Sequence, residues 1–231
     1  MSQEPYWIEH DHASALAWGT AQRLAQALRW GAQGDHRASL LLGAGALPLE
    51  AYRNLADAVL DWRRVTLTLT DERWLPPNHP DSHQRQITEA LLQGPAAQAR
   101  FLPLFRGSES AGDDARAAAF DFARLPRPYD AVVLAVREDG GIAGLRPEMD
   151  GLEQMLAAAT PATVAAVDLP DEVQPHLTLT LTALADAGLI LVLGRGAAER
   201  TALSQALEGA DTPVRALFDA AKVPVEIHVC P

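Results

Sequence analysis

A chain of 231 residues with 48% hydrophobic and 21% charged residues can build one large domain around a sizeable apolar core. Thirty Asp+Glu against 19 Lys+Arg give a formal charge of −11, which argues against nucleic acid or an anionic membrane as the main partner, since both select a basic footprint. No apolar run approaches bilayer-spanning length, the first residues lack the layout of a signal peptide, and Cys230 is the only cysteine, so a cytoplasmic protein with neither an internal disulfide nor a cysteine-rich metal site is expected.

Asp11 or Ser14 is placed to cap a first helix with Leu16, Leu24 and Leu28 on one face, and Gly34 to end it. A buried strand follows over residues 38–42, then a glycine-containing turn, 43–48, and a helix over 49–60. Residues 65–70, VTLTLT, alternate as a strand, and a polar loop, 71–81, leads to Ser82 as N-cap of a helix reaching 92. In the second half a helix over 113–123 precedes the continuous apolar strand 131–136, a charged glycine-rich loop, 137–150, and a helix near 152–159. Strands at 163–167, 177–182 and 189–193, helices near 197–207 and 213–220, and a closing strand at 223–229 complete the pattern. Strands separated by helices pair in parallel through right-handed crossovers, so the expectation is an α/β sheet covered on both faces. Ligands of such sheets bind beyond the carboxyl ends of the strands, which singles out the loops 43–48, 71–81 and 137–150.

The second of these loops opens Asp71-Glu72-Arg73-Trp74. Arg73 alone offers a fork of donors to a phosphate or carboxylate, with its neighbouring carboxylates expected to hold it. By residues alone, a solvated turn with a local ion pair is the simpler reading. The histidines at 10, 12, 36, 79 and 228 show no metal-ligand spacing.

The stretch TLTDERWLPPNHPDSHQRQITEALL resembles the signature of the 6-phosphogluconolactonase family, in which a strand is followed by Asp-Glu-Arg, a Pro, and Asp-Ser-Asn opening a helix. LLLGAGALPLEAYRNLA is similar to that family's Gly-Gly-Ser-Thr-Pro segment, AVREDGGIAGLRP to its Gly-Glu-Asp-Gly-His-Thr-Ala-Ser-Leu-Phe-Pro loop, and PHLTLTLTALADAGLILVLGRG to its Pro-Arg-Val-Thr-Leu-Thr-Leu-Pro segment and following strand. The closing PVRALFDAAKVPVEIHV is similar to its last helix and strand, so the resemblance spans nearly the whole chain in order. It implies a single domain over 1–231 with a modified Rossmann-like fold related to glucosamine-6-phosphate deaminase and ribose-5-phosphate isomerase A. It also implies hydrolysis of 6-phosphoglucono-δ-lactone to 6-phosphogluconate in the oxidative pentose-phosphate pathway, with no metal or organic cofactor, by a monomer.

The departures fall where that chemistry should sit. The histidine of Asp-Gly-His stands as Gly141, the following Thr-Ala-Ser as Ile142, Ala143 and Gly144, and the Phe as Arg146. Gly-Gly-Ser-Thr-Pro becomes Ala44-Gly45-Ala46-Leu47-Pro48, which leaves only backbone N–H groups near a helix N-terminus for a phosphate. His176 stands where the family has an arginine before its Thr-Leu-Thr strand. Two outcomes are open: a rewired site, or a family member that has lost the chemistry and binds a phosphosugar or another small anion. In the rewired site Asp139 orients the loop and His176 (or His83) is the base, with Gly45, Arg73, Arg137, Arg146 and Arg195 on the phosphate.

Overall fold

The apolar runs become strands wherever the sequence places them, and helices between them carry each crossover. In the computed structural model, which describes residues 4–161, 163–170 and 172–231, the first half runs β1 (Tyr6–Glu9), α1 (Ala13–Gly31), β2 (Ala38–Leu42), α2 (Ala46–Ala56), β3 (Val65–Leu69), β4 (Asp71–Arg73), α3 (His83–Leu91), β5 (Arg100–Leu102) and α4 (Ala111–Phe122). The second half runs β6 (Ala131–Ala135), α5 (Leu152–Leu156), β7 (Val164–Val167), β8 (His176–Leu179), α6 (Leu181–Leu184), β9 (Ile190–Arg195), α7 (Gly196–Glu208), α8 (Pro213–Ala220) and β10 (Val225–Cys230).

Seven strands form one sheet in the order β1-β10-β9-β6-β2-β3-β5, with parallel pairing throughout. Every residue of β2, β3 and β10 is buried, which a strand achieves only when both faces of the sheet are covered. α1 supplies part of that cover through Leu16, Thr20, Ala21, Leu24 and Leu28, one stripe at helical spacing. Each such leucine contributes about 1.5–3 kcal/mol of burial. The expected α/β class holds.

Some boundaries differ. His12, not Asp11 or Ser14, caps α1, its Nδ1 accepting from Ala15 N at 3.1 Å, and the helix ends at Gly31, three residues before Gly34. α2 begins at Ala46 because Gly45, at φ +126°, makes the entry turn and Pro48 fits a first turn that needs no N–H from it. The first three residues of the expected loop 71–81 are a strand instead: Asp71–Arg73 is β4, which pairs antiparallel with β8, and β8 with β7, in a separate three-stranded sheet. The expected strand 177–182 is accordingly shorter, giving way to α6 at Leu181. β1 and β5 are short edge strands whose patterns are too brief to stand out from their surroundings.

Candidate active site

β2 leads outward to β3 and β5, whereas β6 leads the other way to β9 and β10, so the connections diverge between β2 and β6. At the carboxyl ends of that pair, where such sheets bind ligands, a cavity of about 300 Å³ opens. Its walls are Gly43, Ala44 and Gly45 after β2, Asp71 and Arg73 on β4, His83 and Gln86 on α3, Arg137, Ala143, Gly144 and Arg146 after β6, and Glu172 and His176 at the approach to β8.

β4 explains which side chains enter. Alternate residues of a strand share a face, and Asp71 and Arg73 line the cavity while Glu72 does not. Glu72 instead caps α3, accepting from His83 N and Gln84 N at 2.7 Å and from Ser82 Oγ at 3.0 Å. It therefore does not hold Arg73, contrary to expectation. Arg73 is held by Glu172, 99 residues away, with Nε donating to Oε2 at 3.0 Å, while Nη1 donates to the Asp81 carbonyl at 3.1 Å. Its Nη2 makes no hydrogen bond among the described residues, which leaves donors for a ligand.

Two imidazoles meet in the cavity, centroids 6.4 Å apart and edge-on. His83 Nδ1 lies 3.0 Å from the Asp71 carbonyl and 3.3 Å from Asp71 Oδ2. Burial opposes its charge, but Asp71 and Glu72 outweigh burial and raise it to about 9. Arg73 Nη1, 3.2 Å from Nε2, can donate only to the neutral ring, and once His83 is charged the two cations are balanced by the surrounding carboxylates. Asp71 is buried, yet His83, His176 and the Thr70 hydroxyl, at 2.9 Å, hold it below the ordinary carboxylate range.

His176 stands opposite Arg73 in the β4–β8 pair and is 2% exposed. Its Nε2 lies 2.7 Å from Glu172 Oε2, and since a carboxylate only accepts, Nε2 carries the hydrogen. Nδ1 is buried with no partner among the described residues. Burial lowers the pKa of His176 more than Glu172 and Asp71 raise it, so the ring is neutral at pH 7 with a free lone pair on Nδ1. A Cβ at Gly144 would sit 3.6 Å from that nitrogen; glycine keeps the approach open.

The loop after β6 has closed on itself. Asp139 Oδ1 accepts from Gly141 N at 2.8 Å, and its Oδ2 lies 3.3 Å from Arg137 Nε. A Cβ on Gly141 would meet Asp139 Oδ1 and the Leu145 carbonyl oxygen, each at 2.8 Å, so this loop admits no side chain there. Ile142 and Leu145 exchange backbone hydrogen bonds of 3.1 and 2.8 Å around Ala143 and Gly144, both at positive φ (+50° and +71°). An alanine in that region costs roughly 1–2 kcal/mol. Thr178 Oγ1 helps hold it by donating to the Ala143 carbonyl at 2.5 Å. Ala143 and Gly144 line the cavity, and their N–H groups have no partner among the described residues.

Five of the seven residues singled out in the sequence, Gly45, Arg73, Arg137, Arg146 and His176, thus line one cavity. Asp139 braces the loop behind it. Arg195 does not line it: it is exposed at the end of β9, at the N-cap position of α7. Glu172 was missed, and only its spacing four residues before His176 hinted at a role. Its Oε1 also accepts from Arg146 Nη2 at 2.5 Å. Among the described residues no group of three or more His, Cys, Asp or Glu side chains is placed to hold a metal ion.

Residues 11–225 match the family model of glucosamine-6-phosphate isomerases/6-phosphogluconolactonase. The chain belongs to this family. It is 36% identical over 222 residues to a 6-phosphogluconolactonase of Rhizobium meliloti (strain 1021), covering 95% of this chain and 94% of that protein. The crystal structure of a 6-phosphogluconolactonase from Shewanella baltica OS155 superposes with a TM-score of 0.93 at 30% identity, with both chains fully covered. A monomeric glucosamine-6-phosphate deaminase shares the fold, with a TM-score of 0.79 at 18% identity over 97% of this chain and 96% of that one. The loop after β6 carries glycine at 141, and histidines line the cavity at 83 on α3 and 176 on β8.

Proposed function

We propose that the chain hydrolyses 6-phosphoglucono-δ-lactone to 6-phosphogluconate, with His176 as general base in place of the missing loop histidine. The observation that carries this reading is a buried, neutral histidine on the lining of a cavity that also holds arginines, with Nε2 oriented by a carboxylate and Nδ1 without a partner among the described residues. His83, charged by Asp71, has no lone pair to offer as a base and acts as a further cation. In the reaction, His176 Nδ1 takes a proton from water as the water oxygen bonds to the lactone carbonyl carbon. The carbonyl oxygen then carries the negative charge, which the free N–H groups of Ala143 and Gly144 are placed to receive. Collapse breaks the bond from that carbon to the ring oxygen, and the imidazolium returns its proton to the departing alkoxide.

For the 6-phosphate, we assign Arg73, Arg146 and the backbone at Gly45, which opens α2, with Arg137 at the rim and Asp139 fixing the loop. The reading treats residues 1–231 as one catalytic unit, monomeric and cytoplasmic; among the described residues no helix is long and apolar enough to cross a membrane. The test is saturable lactone consumption above the spontaneous rate by the purified chain. A rate equal to the buffer blank, with 6-phosphogluconate still raising the melting temperature, would leave a binding protein on the same scaffold.

A further inference from the structure

Glu172 joins groups that the reaction uses separately. Oε2 accepts from His176 Nε2 and from Arg73 Nε, and Oε1 from Arg146 Nη2. Burial disfavours its charge, but His176 and Arg73 pull it down to about 2, so it is a carboxylate at any working pH. Two of its partners are the cations assigned to the phosphate, and the third is the base. A dianion that reaches Arg73 and Arg146 therefore competes with Glu172 for both guanidinia and meets its negative charge at close range. Two anions sharing one pair of cations are relieved by a proton on a neighbouring atom able to hold one, and Nδ1 of His176 is that atom.

We propose that Glu172 is a positioning residue that couples anion binding to the basicity of His176. When phosphate takes up the charge of Arg73 and Arg146, Glu172 is left with the His176 N–H as its principal partner, and Nδ1 binds a proton more tightly. The base is thus at full strength only with the phosphorylated end of the substrate in place. The groups facing His176 are Glu172 from the preceding loop, Asp71 on β4 and His83 on α3, with Arg73 and Arg146 one contact further out. Asp71 and His83 pair with each other and stay paired when phosphate binds, which leaves Glu172 as the link that changes.

This inference rests on the reading of the cavity as a phosphosugar site with His176 as base. It requires that Glu172→Gln move two quantities in opposite directions. With the competing charge gone, 6-phosphogluconate should bind more tightly, by about tenfold, within the usual range of coupling between linked sites. With the acceptor on Nε2 weakened, kcat should fall by about 10–100-fold. A residue that merely held the wall together would weaken binding and turnover alike. Calorimetric titration of the intact chain with 6-phosphogluconate, in two buffers of different ionisation enthalpy, also reads proton uptake. Uptake is expected in the wild type near the titration range of His176 and should vanish in E172Q. The shorter Glu172→Asp keeps the charge but withdraws it from His176; wild-type affinity with reduced kcat is expected. E172Q with unchanged or weaker affinity, or with wild-type proton uptake, overturns the coupling. Failure of the wild type to bind 6-phosphogluconate at all overturns instead the phosphosugar reading beneath it.

Discussion

Replacing His176 with Gln removes a neutral imidazole that lines the cavity and whose Nδ1 has no partner among the described residues, and keeps side-chain volume and a polar tip. A positioned base contributes typically ~10²–10⁴-fold in rate, or roughly 2.7–5.4 kcal/mol of barrier. The variant should therefore lose at least two orders of magnitude in kcat above the spontaneous background. The pH profile makes the test specific. Burial sets the His176 pKa below 6.5, and the base works deprotonated, so wild-type kcat/KM should be level above neutrality and fall as pH drops through that lowered pKa. His176→Gln should lose this acid limb as well as the rate. Glu172 keeps Arg73 and Arg146 as partners in the variant, so no buried charge is stranded, and the loss of one hydrogen bond to a charged group should cost about 1.5–3 kcal/mol, visible as a modest fall in melting temperature. The measurement is lactone disappearance followed by NMR against a buffer blank between pH 5 and 8. A variant with wild-type kcat and an intact acid limb would remove His176 from the chemistry.

Arg73→Ala should weaken 6-phosphogluconate binding by one charge-assisted contact, about 1.5–3 kcal/mol or roughly 10–150-fold, read by calorimetry; unchanged affinity would take Arg73 off the ligand. Gly141→His should not raise the rate, because its Cβ would press on the Leu145 carbonyl oxygen at 2.8 Å, and it should lower the melting temperature through a strain of about 1–3 kcal/mol. A tenfold gain in kcat would mean that the loop reopens freely. Away from the cavity, Glu226 is buried and accepts from Arg23 at 2.7–3.1 Å; burial opposes its charge, yet His228 and Arg23 draw its pKa down from 4.5 to about 2. A carboxylate with a depressed folded-state pKa stabilises fully above its unfolded value and loses that contribution as pH falls through the folded one. The urea midpoint should thus decline between about pH 4.5 and 2, by of order 3 kcal/mol from this group, and Glu226→Gln should flatten that decline.

The inner part of the sheet was legible because β2, β6 and β9 are largely continuous apolar runs, β3 alternates, and the helices carry apolar stripes, all local signals; the short edge strands β1 and β5 carried no such signal. The three loops named from the sequence border the cavity because each follows a parallel strand, and topology places those ends together. Side-chain partnerships were not legible. Arg73 was expected to pair with its neighbours in sequence, yet strand alternation sends Glu72 to the helix and the partner comes from Glu172, which chain order cannot reveal. Arg195 carried the same chemistry as Arg146 in the sequence. The difference lies in where the strands deliver them: Arg146 sits in the loop that folds back over the β2–β6 cleft, Arg195 at an exposed helix start beyond it.

The departures from the family pattern make sense as one exchange rather than as separate losses. In that pattern the imidazole stands at the position of Gly141 and a guanidinium at the position of His176. In this chain an imidazole stands at 176, on β8 beside that loop, and a guanidinium at 146, where the pattern has an apolar ring. On the proposed reading base and cation have exchanged positions, in a cavity lined by two imidazoles, His83 and His176, and three guanidinia, Arg73, Arg137 and Arg146. The turn around Ala143 is closed in this chain: Ile142 and Leu145 exchange backbone hydrogen bonds, a Cβ at 141 would meet Asp139 Oδ1 and the Leu145 carbonyl oxygen, and Thr178, two residues along β8 from His176, holds the strained Ala143. A buried histidine whose Nε2 is held on a carboxylate, and whose Nδ1 has no partner among the described residues, is the arrangement the proposed general base requires.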